Sequence, residues 1–344
     1  MEAVNFIHQK KERGRLMGNG PKLFRLFLSL AIAAGCLFAS NLSEAQTKVN
    51  RLSIATGGTG GVVYVLGGGI ARVISKYLPD TEATAEVTAA SIDNCKLIQV
   101  GKADLAMPIA DAAYDAYIGA GHFKSFGPVP LRTLGVLYSN YMHFVTLENT
   151  GIRSIYDLKG RRVSTGAPGS GAETISLKIL ESYGIEEKQL KRERLSVAES
   201  AAALRDKKVE AFVWMGGLPT AAILDLAASP GIKIKLLENA EHIDKLNQKY
   251  GPTLFPLTIP KTAYPRMDAD VKVVASALLL VCHEKMDAGL VYNIIKVLFE
   301  HQPELVLAHA SAKEFTLDRA TVGSPFPFHP GAKKYYQEKG ITVR

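Results

Sequence analysis

A glycine-rich stretch near residue 56 has the composition of an anion-binding turn. It begins with Thr56 and Gly57, continues through Thr59 to Gly61, and is followed by Tyr64. Glycine lets a backbone bend sharply and approach a ligand closely. The turn joins a predicted strand to a predicted helix, whose first N–H groups and dipole favour a carboxylate or phosphate. We expect Thr56, Gly57, Thr59 and Tyr64 to contact the ligand, with a purely structural turn as the alternative.

The same stretch departs from the nucleotide-binding motifs. In the best G-x-G-x-x-G register, which starts at Gly58 and Gly60, Val63 stands where the third glycine is required. No Gly-Lys-Ser/Thr follows, so a P-loop does not fit either. These departures argue against a nucleotide-dependent enzyme.

A second glycine-rich stretch, at 164–172 (STGAPGSGA), has the same predicted strand–turn–helix context. We expect Ser170 and Gly171 to face the first turn, so that two helix N-termini hold one anion between them. The alternative is a hydrolase with Ser170 as nucleophile. The glycines beside Ser170 do not reproduce G-x-S-x-G, and no His–acid pair is placed to activate it, so we expect no enzymatic activity.

Two further segments point to the same crevice. Ser91 and Asn94 open a predicted helix, although Ser91 could serve only as its N-cap. Trp214, the only tryptophan of the chain, lies just before Gly216, between a predicted strand and a predicted helix. We expect it to form an apolar wall for the ligand, with a core aromatic as the alternative.

Strand and helix patterns alternate along the chain, which predicts an α/β fold with mostly parallel sheets. Each half begins with strand, glycine-rich turn and helix, so we expect two lobes of similar topology. Lobe 1 is predicted to comprise 46–142 plus 260–344, and lobe 2 to comprise 143–259. Two crossings, at Tyr138–His143 and Phe255–Thr262, would form the hinge.

The first 45 residues are typical of a signal peptide. A basic region precedes the apolar run Leu26–Ser40, which is shorter than the roughly 20 residues of a membrane-spanning helix. Small residues at Ser43 and Ala45 predict cleavage before Gln46, so we expect an exported, periplasmic protein. A lipid anchor at Cys36 and a start at Met17 are alternatives.

Charge and composition exclude several classes. Six Lys/Arg and three Asp/Glu lie in 1–45, which lowers the formal charge from +8 for the chain to +5 for the remainder. No basic run follows, so nucleic-acid binding is not expected. Histidine and cysteine spacings match no metal motif, and we expect no metal and no cofactor. Cys95 and Cys282 remain after cleavage, either bridged or as buried thiols.

Several segments together resemble the TAXI family of TRAP transporter solute receptors. The matching pieces are ATGGTGGVVYVLGGGIA, TAASIDN, GKADLA, GIRSIYDLKGRRVSTGAPGSGAET, KVEAFVWMGGLP and SPFPFHPGAKKYYQEKG. They span about residues 50–340. The resemblance implies a type II periplasmic-binding-protein fold, and as partner a TRAP permease in the cytoplasmic membrane driven by an ion gradient. It also implies a small carboxylate ligand such as glutamate or a dicarboxylate.

The resemblance maps the ligand contacts onto Thr56, Gly57, Thr59, Tyr64, Ser91, Asn94, Ser170, Gly171, Trp214 and Gly216. No arginine lies in these loops to pair with a carboxylate, so backbone N–H groups, hydroxyls and helix ends are expected to hold the anion. The expected function is that of a monomeric transport receptor for a small organic anion. A sensory binding protein of the same fold is the alternative.

Overall fold

The structure, a computed structural model, describes residues 49–343; the predicted signal peptide, Cys36 and Met17 lie outside them. The strands are β1 (Asn50–Ala55), β2 (Thr81–Glu86), β3 (Leu105–Ala106), β4 (Leu131–Leu147), β5 (Arg162–Ser164), β6 (Lys191–Glu193), β7 (Ala211–Gly216), β8 (Ile234–Leu236), β9 (Phe255–Ile259) and β10 (Val271–His283). The helices are α1 (Val62–Tyr77), α2 (Ser91–Gln99), α3 (Ala110–Ile118), α4 (Gly171–Ser182), α5 (Val197–Arg205), α6 (Ala221–Ala228), α7 (Ile243–Tyr250), α8 (Ala288–Glu300), α9 (Gln302–Ala308) and α10 (Pro330–Glu338).

The two halves of the sheet repeat one strand order. In the first half the order is β2-β1-β3-β10-β4, and in the second it is β6-β5-β7-β4, with β8 on the other side of β4. β1 pairs in parallel with β2 and β3, and β5 pairs in parallel with β6 and β7, whereas every antiparallel pair includes β4 or β10. This repeat confirms the predicted two-lobed α/β fold of the type II periplasmic-binding-protein class.

Local sequence explains several element boundaries. Ser196 and Glu199, which have the spacing of a capping box, form one: the Ser196 hydroxyl accepts from the Glu199 N–H, and the Ser196 N–H donates to the Glu199 carboxylate. A second capping box, at Ser154 and Asp157, opens a short 3₁₀ turn. The nearly continuous apolar run of β10 is buried along most of its length, as a central strand requires.

The long strands β4 and β10 connect the halves. In β4 the N-terminal part pairs with β10 and Tyr141–Thr146 pairs with β7, and we propose that the first crossing lies in this strand, at the predicted Tyr138–His143. Ile259, Tyr264 and Val273 pack with Phe212 in the core of lobe 2. We therefore propose that the second crossing lies in β10, later than the predicted Phe255–Thr262, and that the rest of the predicted lobe division holds. The prolines of that segment mark an edge strand, β9, which pairs only with β10.

One hydrophobic cluster runs through both lobes, and each lobe adds a cluster of its own. Cys95 and Cys282 are unpaired buried thiols, and burial raises the pKa of both. Between residues 49 and 343, no helix has both the length and the apolar character needed to cross a membrane.

Candidate functional site

A small cavity lies between the lobes, where the carboxyl ends of parallel strands meet helix N-termini. Such crevices are where open α/β sheets bind ligands. Of the ten predicted ligand contacts, five line it: Gly57, Ser91, Ser170, Gly171 and Trp214. The two glycine-rich turns therefore lie at one site, as the sequence predicts, and the starts of α1, α2 and α4 converge there.

The first glycine-rich turn, 57–61, approaches the opposite lobe closely. A Cβ on Gly60 would lie 3.2 Å from the Ala198 Cβ, on α5. A Cβ on Gly61 would lie 3.0 Å from the Trp214 ring. Side chains at these two positions would crowd lobe 2, so glycine allows the lobes to meet here.

Hydrogen bonds within lobe 2 hold the second turn. Ser170 is the N-cap of α4: its hydroxyl accepts from the Glu173 N–H (3.1 Å) and donates to the Ala167 carbonyl (2.7 Å). Gly169, with φ of 79°, donates its N–H to the Glu173 carboxylate (3.1 Å). Arg192 and Arg194 both pair with that carboxylate. The neighbouring arginines therefore stabilise the turn.

The start of α2 faces this turn from lobe 1. The N–H of Ile92 donates to the Gly169 carbonyl (3.1 Å) across the cleft. Ala90, the residue before the helix, has φ of 81°, a conformation that is strained for alanine and that often occurs at ligand-binding sites. Ser91 is not the N-cap; its hydroxyl accepts from the Ile109 N–H (3.1 Å) and so joins α2 to the start of α3.

A fully paired chain of hydrogen bonds positions Trp214. Its indole N–H donates to the Thr220 hydroxyl (3.1 Å), and the Thr220 N–H donates to the Tyr264 hydroxyl (3.1 Å). The Tyr264 O–H donates to Nε2 of His143 (2.9 Å), whose Nδ1–H donates to the Tyr141 carbonyl (2.8 Å). Burial lowers the pKa of His143 to about 4, which keeps the ring neutral and this arrangement intact at neutral pH.

The other five predicted contacts do not line the cavity, and two of them are used by the fold. The Thr56 hydroxyl donates to the Glu86 carbonyl (2.6 Å). Asn94 donates to the carbonyl of Thr56 (2.7 Å) and accepts from the Thr88 hydroxyl (2.6 Å). Their polar atoms therefore stabilise lobe 1.

The remaining three are Thr59, Tyr64 and Gly216. Thr59 is exposed and Tyr64 is half-buried, and neither lines the closed cavity. Gly216 lies behind Trp214, and a Cβ there would come within 2.4 Å of the indole nitrogen. Its role is to let the ring lie against the backbone.

The sequence analysis missed Asn140, which lines the cavity from the middle of β4. Its side chain is completely buried, and neither the amide oxygen nor the amide nitrogen has a hydrogen-bond partner among residues 49–343. Its position inside the predicted crossing Tyr138–His143 was the only signal that the sequence offered.

The lobes are closed in this structure. The cavity measures about 20 Å³, about the space that one water occupies, so a small organic acid enters only when the lobes separate. Larger depressions of about 520 Å³, beside Glu181, and about 350 Å³, beside Tyr138 and Glu314, lie elsewhere. Neither touches a glycine-rich turn, so we assign the site to the cleft.

A buried ion cluster joins the lobes beside the cleft. Lys178 of α4 contacts Asp111 (2.9 Å) and Asp115 (3.1 Å) of α3. Burial opposes the charge of Lys178, but the two carboxylates outweigh it and raise its pKa. Burial raises the pKa of Asp115, against the effect of Lys178. Both helices begin at the cavity, so closure and ligand contact involve the same elements.

Comparison with known proteins gives one family and several similar structures. The profile of the NMT1-like family matches residues 54–340. An alkanesulfonate-binding protein from Xanthomonas axonopodis pv. citri, bound to MOPS, is 17% identical over 84% of this chain and 90% of its own (TM-score 0.45). The aliphatic sulphonate binding protein of Escherichia coli is 14% identical over 77% and 74% (TM-score 0.44). A putative L-cystine ABC transporter from Listeria monocytogenes is 14% identical over 77% and 96% (TM-score 0.48).

Proposed function

Because the chain belongs to the NMT1-like family, we propose that it is an extracytoplasmic solute-binding receptor of a transporter. In this role it captures a small organic anion, of the carboxylate class, between its lobes. It then delivers the anion to a permease in the cytoplasmic membrane. In this proposal the receptor acts as a monomer.

The observation that supports this function best is the convergence of three helix N-termini on one interlobe cavity. Gly61 precedes α1, Ser91 begins α2 and Gly171 begins α4, and all three line the cavity. The first N–H groups of a helix lack intrahelical partners and carry partial positive charge, so they suit an anion. A ligand that bridges the two lobes would also stabilise their closed arrangement.

The binding experiment uses protein purified in its native state. Native mass spectrometry would detect a retained ligand, and a thermal-shift panel of carboxylates would test the chemical class. Binding should stabilise the fold by about 2.7 kcal/mol at a hundredfold excess over Kd. Trp214, the single tryptophan, forms part of the cavity wall, so its fluorescence should change on binding. If no small anion raises the melting temperature or alters the fluorescence, the proposed ligand class is wrong.

We propose a TRAP-type permease as the partner, following the resemblance to the TAXI family. Uptake of the labelled ligand into vesicles that contain the permease should then require the receptor and collapse with the ion gradient. Uptake that survives loss of the gradient but needs ATP would replace this partner with an ATP-driven permease. Receptor-independent uptake, with a sensor kinase as binding partner, would favour the sensory role.

The hydrolase alternative has little structural support. The Ser170 hydroxyl caps α4 and donates to a backbone carbonyl. Within residues 49–343 it has no hydrogen bond to a histidine that could act as its base. A Ser170→Ala variant should therefore weaken binding, and turnover of an ester or amide by the wild type would overturn this assignment.

A further inference from the structure

Asn140 differs from the other buried asparagines around the hinge. Asn239 is also completely buried, but it donates to the carbonyls of Met142 and Leu237 and accepts from the Val274 N–H. Asn94 is likewise paired through both of its amide atoms. Asn140 has neither kind of partner among the described residues, and it faces the cleft. A buried amide without partners is costly to the fold, so it points to a ligand that pairs with it.

The charge of the cleft limits what that ligand carries. Within the described part of the chain, no Asp, Glu, Lys, Arg or His lines the cavity. An ammonium group taken into such a site would lose its water without gaining a carboxylate. It would also meet the positive ends of three helix dipoles. The cleft therefore suits an anion without an ammonium group, which disfavours amino acids, glutamate among them.

The side chains that line the cavity indicate which other groups the ligand carries besides its negative charge. An amide offers both an acceptor and donors, and a hydroxyl group can satisfy both, whereas a carboxylate can only accept. The cavity that Asn140 lines is also lined by apolar side chains, including Met107, Ile109, Met215 and Leu278. On the premise that the cleft is the binding site of the receptor, we propose that its ligand is a hydroxy acid with an apolar body. Asn140 is then the residue that selects the hydroxyl group.

Two sets of acids with shared carbon skeletons test this selection. The first is leucine, 2-hydroxy-4-methylpentanoate and 4-methylpentanoate; the second is glutamate, 2-hydroxyglutarate and glutarate. Calorimetric titration should show the hydroxy acid of a set binding about tenfold tighter than the plain acid, which lacks the partner for Asn140. The amino acid should bind weakest. An amino acid that binds as tightly as its hydroxy counterpart would overturn the proposal.

Variants of Asn140 separate selection from stability. Asn140→Leu should bind the hydroxy acid no more tightly than the plain acid, because the amide that distinguishes the two ligands is removed. Its melting temperature should equal or exceed that of the wild type, since no protein hydrogen bond is lost. Asn140→Asp should shift the preference towards the amino acid by supplying a carboxylate. Asn239→Leu is the matched control, with a lower melting temperature and unchanged selectivity.

The outcomes distinguish this proposal from the receptor function. If Asn140→Leu retains full preference for the hydroxy acid, the assigned role of the amide is wrong. If none of the six acids binds but another small molecule closes the lobes, the receptor function remains and the ligand class proposed here fails. If no small molecule binds in the cleft at all, the receptor function itself fails.

Discussion

Gly171 offers a way to impair lobe closure without harming the fold. It is the first residue of α4, and a Cβ there would lie 2.7 Å from the Ser91 hydroxyl and 3.1 Å from Cδ1 of Ile109, in the opposite lobe. Both distances fall below ordinary contact, which begins at 3.4 Å. Alanine is compatible with a helix, so the Gly171→Ala variant should fold normally and resist full closure.

The expected loss of affinity depends on which contact gives way to the new methyl group. If the Ser91 side chain rotates away, the hydrogen bond that its hydroxyl accepts from the Ile109 N–H (3.1 Å) is lost. If the lobes separate instead, the bond from Ile92 to the Gly169 carbonyl is lost. The first change leaves the buried Ile109 N–H unpaired, which costs about 1–3 kcal/mol, and the second gives up the closed arrangement itself. A closed state destabilised by that amount should bind ligand about 5- to 150-fold more weakly.

Two measurements check this prediction. Titration followed by Trp214 fluorescence gives Kd, and urea unfolding without ligand gives the free energy of unfolding. Gly171→Ala should raise Kd, and it should lower the free energy of unfolding without ligand by no more than the roughly 1–3 kcal/mol by which the closed state is destabilised. Gly68→Ala is the matched control, because a Cβ there meets nothing within 4 Å. It should stabilise α1 by about 0.5–1 kcal/mol and leave Kd unchanged.

The reasoning fails if Gly171→Ala binds ligand as tightly as the wild type. It also fails if Gly68→Ala loses affinity to the same extent, because the effect would then not depend on the approach of Gly171 to lobe 1.

Two other predictions concern buried charge. Lys178→Met should lower the free energy of unfolding in urea by about 3–5 kcal/mol, because Asp111 and Asp115 lose their partner. Replacing both aspartates with Asn in the same variant should restore most of the lost stability. If it restores none, the loss does not come from the unpaired charges. His143 has a pKa lowered to about 4 by burial, so the unfolded state binds more protons from about pH 6.5 down to 4 and stability falls over that window. Between pH 7.5 and 5, the His143→Gln variant should lose about 2 kcal/mol less of its free energy of unfolding than the wild type. Equal losses in the two proteins would refute this.

Local sequence predicted the elements that form the site. The glycine-rich turns after β1 and β5, the helices that follow them and the repeat of topology all depend on neighbouring residues and on periodicity. The Ser196–Glu199 capping box follows from spacing alone. Gly57, Ser170 and Gly171 line the cleft as predicted, because residues that join a strand to a helix N-terminus lie at the carboxyl edge of the sheet whatever the packing.

The local pattern could not show which polar side chains are already hydrogen-bonded to other parts of the fold. Thr56 and Asn94 lie at that same edge, but Glu86 and Thr88 are close enough to satisfy their hydrogen bonds. Asn140 was missed for the opposite reason: no residue within 49–343 reaches its amide.

The sequence by itself determined the kinds of element, their order and the two turns suited to an anion. Only the tertiary structure decided which polar groups remain for a ligand, because hydrogen bonds between residues far apart in the chain compete with the ligand for each donor and acceptor. It also placed Trp214 in the cleft wall, through a chain of bonds that ends at His143. Such pairings depend on strand register and lobe contact, neither of which a local pattern specifies.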